Sequence, residues 1–106
     1  MGGLYSGRSK NGFNIVKILA VDSAAIHVRV YKQHYDSRPD KVDPHSLTLG
    51  TIDDKDGFGM GHLPLSQREF VSWEPVFIHQ AAILPEELEG YRLWKKHNGG
   101  VWDTKR

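Results

Sequence analysis

The stretch GFGMGHLPLS, residues 57–66, sets glycines at 57, 59 and 61 ahead of a histidine at 62. Glycine-rich runs can cradle phosphates, because bare backbone N–H groups converge on the anion at the start of a helix. That chemistry needs G-x-G-x-x-G opening a helix, or Gly-Lys-Ser/Thr after the run. Here the spacing is G-x-G-x-G and Pro64 follows. A period of two belongs to a strand, which predicts Phe58, Met60 and His62 on one face and Gly59, Gly61 and Leu63 on the other. Glycine on a strand face marks close approach by something large, and Trp73 or Trp94 is the expected occupant.

The neighbouring IDDKDG, residues 52–57, carries three acids. Aligned as a calcium loop with Gly57 at the sixth position, it has Ile52 and Leu63 where carboxylates are required. It reads as a solvated turn. The six histidines form no H-E-x-x-H or H-x-H pair, and the chain has no cysteine, which removes zinc–thiolate sites and disulfides. His27 and His79 are expected to point outward from strands. His62, beside the Leu63–Pro64 corner, is the one histidine kept as a candidate, as the centre of a metal-dependent or hydrolytic module. No G-x-S-x-G is present, and Ser66 is absorbed by a helix cap, so no nucleophile stands out. The expectation is a protein that is not an enzyme and takes no cofactor.

Two binding readings remain. Residues 26–33 place Arg29, Tyr31 and Lys32 on or near one strand face, a pattern that small barrels use to stack bases. With 14 Lys and Arg against 13 Asp and Glu, the net charge is only +1, which is no nucleic-acid footprint. The loop at 34–46, HYDSRPDKVDPHS, mixes His34, Tyr35 and Arg38 with acids, and Tyr and Arg are enriched at protein interfaces. The leading expectation is a small protein-binding domain with His34, Tyr35, Arg38, Arg29, Tyr31 and His62 as partner-binding residues. Its specific form is an inhibitor of the bacterial toxin-immunity kind.

The elements that must carry these residues follow from periodicity. At 106 residues and 39% hydrophobic content, the chain suits one domain. Residues 1–12, rich in Gly and Ser, read as a flexible leader, and 13–106 as the globular domain. Residues 13–21 are apolar on both faces apart from Lys17, as in a central strand. Ile26, Val28 and Val30 alternate with polar residues, as in a strand with one wet face. Further strands are predicted at 47–52, 58–65 and 76–80. Asp43 and Pro44 predict a capped turn. Ser66 and Glu69 have capping-box spacing with Leu65 and Phe70 as a staple, which predicts a helix at 67–73. Pro85, the acids at 86, 87 and 89 and the bases at 95–97 predict a second helix at 85–97. Leu84, Leu88, Tyr91 and Trp94 form its apolar stripe, and Gly99 or Gly100 its left-handed cap.

VKILAVDSAAIHVRVY resembles the opening hairpin of SH3-like and Tudor-like barrels. The resemblance implies that the sheet curves toward a partial barrel. The predicted class is therefore α+β, a curved, mainly antiparallel sheet of about five strands with two helices. With no apolar run long enough to span a membrane, the expected location is cytoplasmic.

Overall fold

A computed structural model describes residues 1–51, 53–54 and 59–103. Five strands form one antiparallel sheet in the order β4-β3-β2-β1-β5. They are β1 (Gly3–Ser9), β2 (Gly12–Val21), β3 (Ile26–Tyr35), β4 (Met60–Leu65) and β5 (Val76–Gln80). Helix α1 (Gln67–Ser72) follows β4, and a 3₁₀ turn (Pro85–Leu88) leads into α2 (Glu89–Lys96). The fold is α+β. The sheet stays open, with β4 and β5 as its two edges, so the partial barrel implied by the resemblance does not form.

β2 lies in the middle, and its two apolar faces serve two cores. Val16, Val28, Leu65 and Phe70 pack on the α1 side. Leu4, Ile15 and Tyr31 pack on the other, against Val42, Leu47, Leu49 and Ile78. Both faces of β3 are therefore covered, and its polar row is not the wet face that alternation suggests.

The expected leader is instead β1, hydrogen-bonded between β2 and β5. Its small residues make room for large ones. A side-chain carbon at Gly3 would lie 2.9 Å from the Tyr5 ring, and one at Gly7 would reach only ordinary contact, 3.7 Å, with Trp73, whose carbonyl accepts from Arg8 N–H. Ser6, fully buried, accepts from Arg38 Nη1 at 2.7 Å. Composition alone cannot separate glycine placed for clearance from glycine placed for freedom.

Residues 47–51 form no strand, because Gly50 adopts φ +68° and breaks the extended run. They still line the sheet, with Lys32 N–H donating to Thr48 O and Gly59 N–H to Leu49 O. Asp43 caps the 3₁₀ turn Pro44–Ser46 by accepting from His45 N–H at 3.0 Å. Ser66 caps α1, accepting from Glu69 N–H. The predicted reciprocal bond is replaced. Glu69 accepts from Trp73 Nε1, and Ser66 N–H donates to Trp102 O. The left-handed residue after α2 is Asn98, at φ +50°, and Gly99 follows it where a side chain would collide with the Trp94 ring. Phe58 and most of IDDKDG lie outside the described residues.

Because β1 has a hydrogen-bonded neighbour on each side, removing it strips pairing from both β2 and β5. Deleting residues 1–9 is expected to abolish cooperative urea unfolding. A cooperative transition at an unchanged midpoint would restore the leader reading.

Candidate functional site

Three of the buried polar residues, Lys17, His27 and Glu87, lie between the sheet and the segment running from the 3₁₀ turn into α2. Across β3, β2, β1 and β5, Arg29, Lys17, Leu4 and His79 are successive register partners. Glu87 closes over this row. Lys17 Nζ donates to Glu87 Oε1 at 2.8 Å, and their side chains are only 6% and 7% exposed. Leu84 N–H donates to the same Oε1 at 2.8 Å, and Lys17 Nζ also donates to Ala82 O. Burial pushes the Glu87 carboxyl upward, but the Leu84 N–H and the Lys17 and Arg29 charges outweigh it, so it titrates below its ordinary value. Tyr31 joins the row from β3. Burial, then the Glu87 charge, raises its phenol to about 12.

Along β3 from Arg29 stands a second group. Asp22 Oδ1 accepts from Ala24 and Ala25 N–H, both at 2.9 Å, an Asx turn that fixes the carboxylate. Its Oδ2 lies 3.0 Å from His27 Nε2 and accepts from Tyr91 OH at 3.3 Å. His27 Nδ1 lies 2.9 Å from His62 Nε2, the two rings being nearly parallel at 12°. Tyr91 and Trp94 meet His27 edge-on at 4.4 and 4.5 Å. The Ala25 N–H bond leads a set of interactions that holds the Asp22 carboxyl down at about 2. Desolvation, then the adjacent His27, lowers His62 to about 4.

These partners form a hydrogen-bonded chain. An ionised carboxylate only accepts, so His27 Nε2 carries a proton. In the neutral pair, His27 Nδ1 then accepts from His62 Nε2–H, which leaves the lone pair on His62 Nδ1. His62 near neutral pH is thus a free base at the end of a carboxylate–imidazole–imidazole chain. Among the described residues no group of three His, Asp or Glu side chains is placed to hold a metal.

Three sequence expectations are corrected here. His27 is fully buried rather than outward, because α2 covers its face. His62 does not share a strand face with Met60. Val28 pairs with Leu63 and Val30 with Met60, so Gly61 and His62 together oppose Arg29 in a bulge, which turns His62 toward the α2 side. Gly90 of α2 then meets it closely, since a side-chain carbon there would lie 2.7 Å from His62 Cβ. The tryptophans do not cover Gly59 and Gly61; the Val30 and Tyr31 backbone adjoins Gly59, and Leu49 adjoins Gly61.

Of the six expected partner-binding residues, Arg29, Tyr31 and His62 share this covered face. The other three lie at the far end of β3 and beyond it. His34 Nε2–H donates to Asn11 O, and Tyr35 packs on the second core. Arg38 bonds Ser6 and stacks 4.6 Å over the Phe13 ring. Lys17, Asp22 and Glu87 were missed. A lone lysine in an apolar strand was the available signal for Lys17, whereas Glu87 was assigned to the helix dipole. A cavity of about 650 Å³ on the α1 face has Val16, Val30, Trp73 and Trp102 among its walls, away from the buried ion pair. No family model, curated protein or solved structure matches the chain.

Breaking a buried pair strands a charge, so Lys17→Met and Glu87→Gln should each cost about 3–5 kcal/mol in urea unfolding. Their double-mutant coupling should be about 1–3 kcal/mol. The Arg8–Glu74 pair, 56% and 60% exposed, should couple by less than about 1 kcal/mol. Equal coupling in the two pairs would contradict the burial argument.

His62 is lowered from 6.5 to about 4 in the fold, so between those values the unfolded chain binds the extra proton. Stability from this group is complete above about pH 6.5 and falls as pH drops toward 4. His62→Asn should flatten that limb of the stability profile, with the Asp22 contribution entering only at lower pH. An unchanged limb, or a His62 ring resonance titrating near 6.5, would contradict the assignment.

Proposed function

We propose that the chain is a small protein-binding domain that engages its partner by strand addition along β5. The observation that carries this reading is the contrast between the two sheet edges. Edge strands template pairing with other chains, and folds ordinarily blunt them with charges, prolines, bulges or covering segments. β4 has such protection. Pro64 lies within it, and its Pro64–Ser66 end is paired to Trp102 through Trp102 N–H to Pro64 O and Ser66 N–H to Trp102 O. β5 is VFIHQ, without Lys, Arg, Asp, Glu or Pro, and it exposes Val76 at 48% and Phe77 at 54%.

The expected contact surface moves accordingly from the 34–46 loop to β5, since His34, Tyr35 and Arg38 are occupied within the fold. An extended, uncharged partner segment would gain main-chain hydrogen bonds from β5 and side-chain packing on Phe77. An inhibitor of the immunity type, which works by occlusion, is the specific form of this reading. The nucleic-acid alternative loses its platform, because Tyr31 is buried and Arg29 largely so.

The Asp22–His27–His62 chain favours one second reading, a hydrolytic centre with His62 as the base. Turnover that tracks the His62 titration and vanishes in His62→Asn would select it over strand addition.

The test of strand addition is recovery of a partner from the native host, paired with Phe77→Lys. The variant gives up the edge contact of the Phe77 ring with Tyr5, so it should lose about 1 kcal/mol of stability, still unfold cooperatively, and lose the partner. In the wild-type complex the β5 amides should gain hydrogen-exchange protection. Recovery of nucleic acid alone, or a partner retained by Phe77→Lys, would defeat the proposal.

A further inference from the structure

Among the described residues, the buried row on the β3 face holds more positive charge than its one carboxylate neutralises. Lys17 and Arg29 face one carboxylate, Glu87. That carboxylate is turned by its other partners, because Oε1 accepts from both Lys17 Nζ and Leu84 N–H. Its Oε2 is left 3.9 Å from Arg29 Nε, beyond hydrogen-bond reach. Arg29 Nε is buried and has no hydrogen-bond partner among the described residues. Buried donors of this kind are rarely left unpaired, and a guanidinium is built to meet an oxyanion.

These groups line a cavity of about 500 Å³, between the sheet, the Pro44–Ser46 turn and the Pro85–Leu88 turn. Tyr31 stands in its wall, and the exposed His45 and His79 also line it. With its phenol protonated up to about pH 12, Tyr31 can donate a hydrogen bond at neutral pH. Leu4, Leu47 and Leu84 supply apolar wall. The volume and the mixture of apolar wall with a few fixed polar groups match small-molecule sites.

We infer that this cavity is a binding site for a small organic carboxylate, whose carboxylate meets Arg29 and Tyr31 and whose hydrocarbon body lies on the leucine wall. Charge balance selects the carboxylate. Among the described Lys, Arg, Asp and Glu of the wall, two cations and one anion leave a surplus of one, which a carboxylate cancels, whereas a phosphate monoester near its second ionisation carries more negative charge than that surplus. The site is separate from β5 and stands whether or not a protein partner binds there.

The test uses ¹⁵N-labelled full-length protein titrated with benzoate and, in parallel, with phenyl phosphate. Benzoate should move the Arg29 Nε–H resonance saturably, with a dissociation constant of roughly 1 mM or tighter. Arg29→Gln should weaken benzoate binding on the order of tenfold or more, the loss expected for a charged hydrogen bond. Tyr31→Phe keeps the ring that packs in the core, so it remains informative if Arg29→Gln fails to fold, and it should weaken binding several-fold. No saturable response to benzoate overturns the site, as does a response unchanged in the folded variants. Phenyl phosphate binding more tightly than benzoate overturns the carboxylate assignment.

Discussion

A buried ion pair, Lys17 with Glu87, ties the Pro85–Leu88 turn to the central strand of the sheet. Taking both charges out of water is costly, and their attraction offsets that cost only when the remaining donors and acceptors are satisfied. Here Ala82 O and Leu84 N–H supply the missing partners, so the pair sets where the Pro85–Leu88 turn sits. α2 follows directly from that turn. Its placement brings Gly90 against His62 and sets Tyr91 and Trp94 around His27. The packing around the Asp22–His27–His62 chain thus depends on where a lysine in the central strand finds its counter-ion.

The same packing explains why β3 departs from simple alternation. A strand with one wet face would present Arg29 and Tyr31 to solvent. In a sheet covered on both sides, those residues become cavity wall, and each polar group must find a partner or hold one in reserve. Tyr31 contributes its ring to the second core while its phenol remains a donor. Arg29 meets Glu87 at a distance that leaves its Nε unfilled. The bulge at Gly61–His62 continues this economy of space, since two consecutive residues opposite Arg29 turn His62 inward.

The open sheet leaves two edges, and they are treated differently. β4 is closed by Pro64 and by the return of the chain through Trp102. β5 ends the other side with Val76 and Phe77 exposed. Phe77 is anchored from within, its ring meeting Tyr5 edge-on at 5.5 Å. An aromatic already held in place has little side-chain freedom left to lose.

Local chemistry made much of the fold legible in the sequence. The double apolar face of residues 13–21, the caps at Asp43 and Ser66, the strand at 76–80 and the acidic-to-basic order of residues 86–97 all rest on interactions within a few residues. What escaped depended on distant partners. Residues 3–9 read as a leader because what orders them, the pairing with β5, the Trp73 carbonyl and Arg38, lies more than thirty positions away. His27 read as outward because nothing near it announces that Tyr91 and Trp94 will cover it. The sequence by itself determined the class, the central strand and the two helices. Only the tertiary structure decided which charges are buried, which histidines touch and which edge stays bare, because each is set by contacts between residues far apart along the chain.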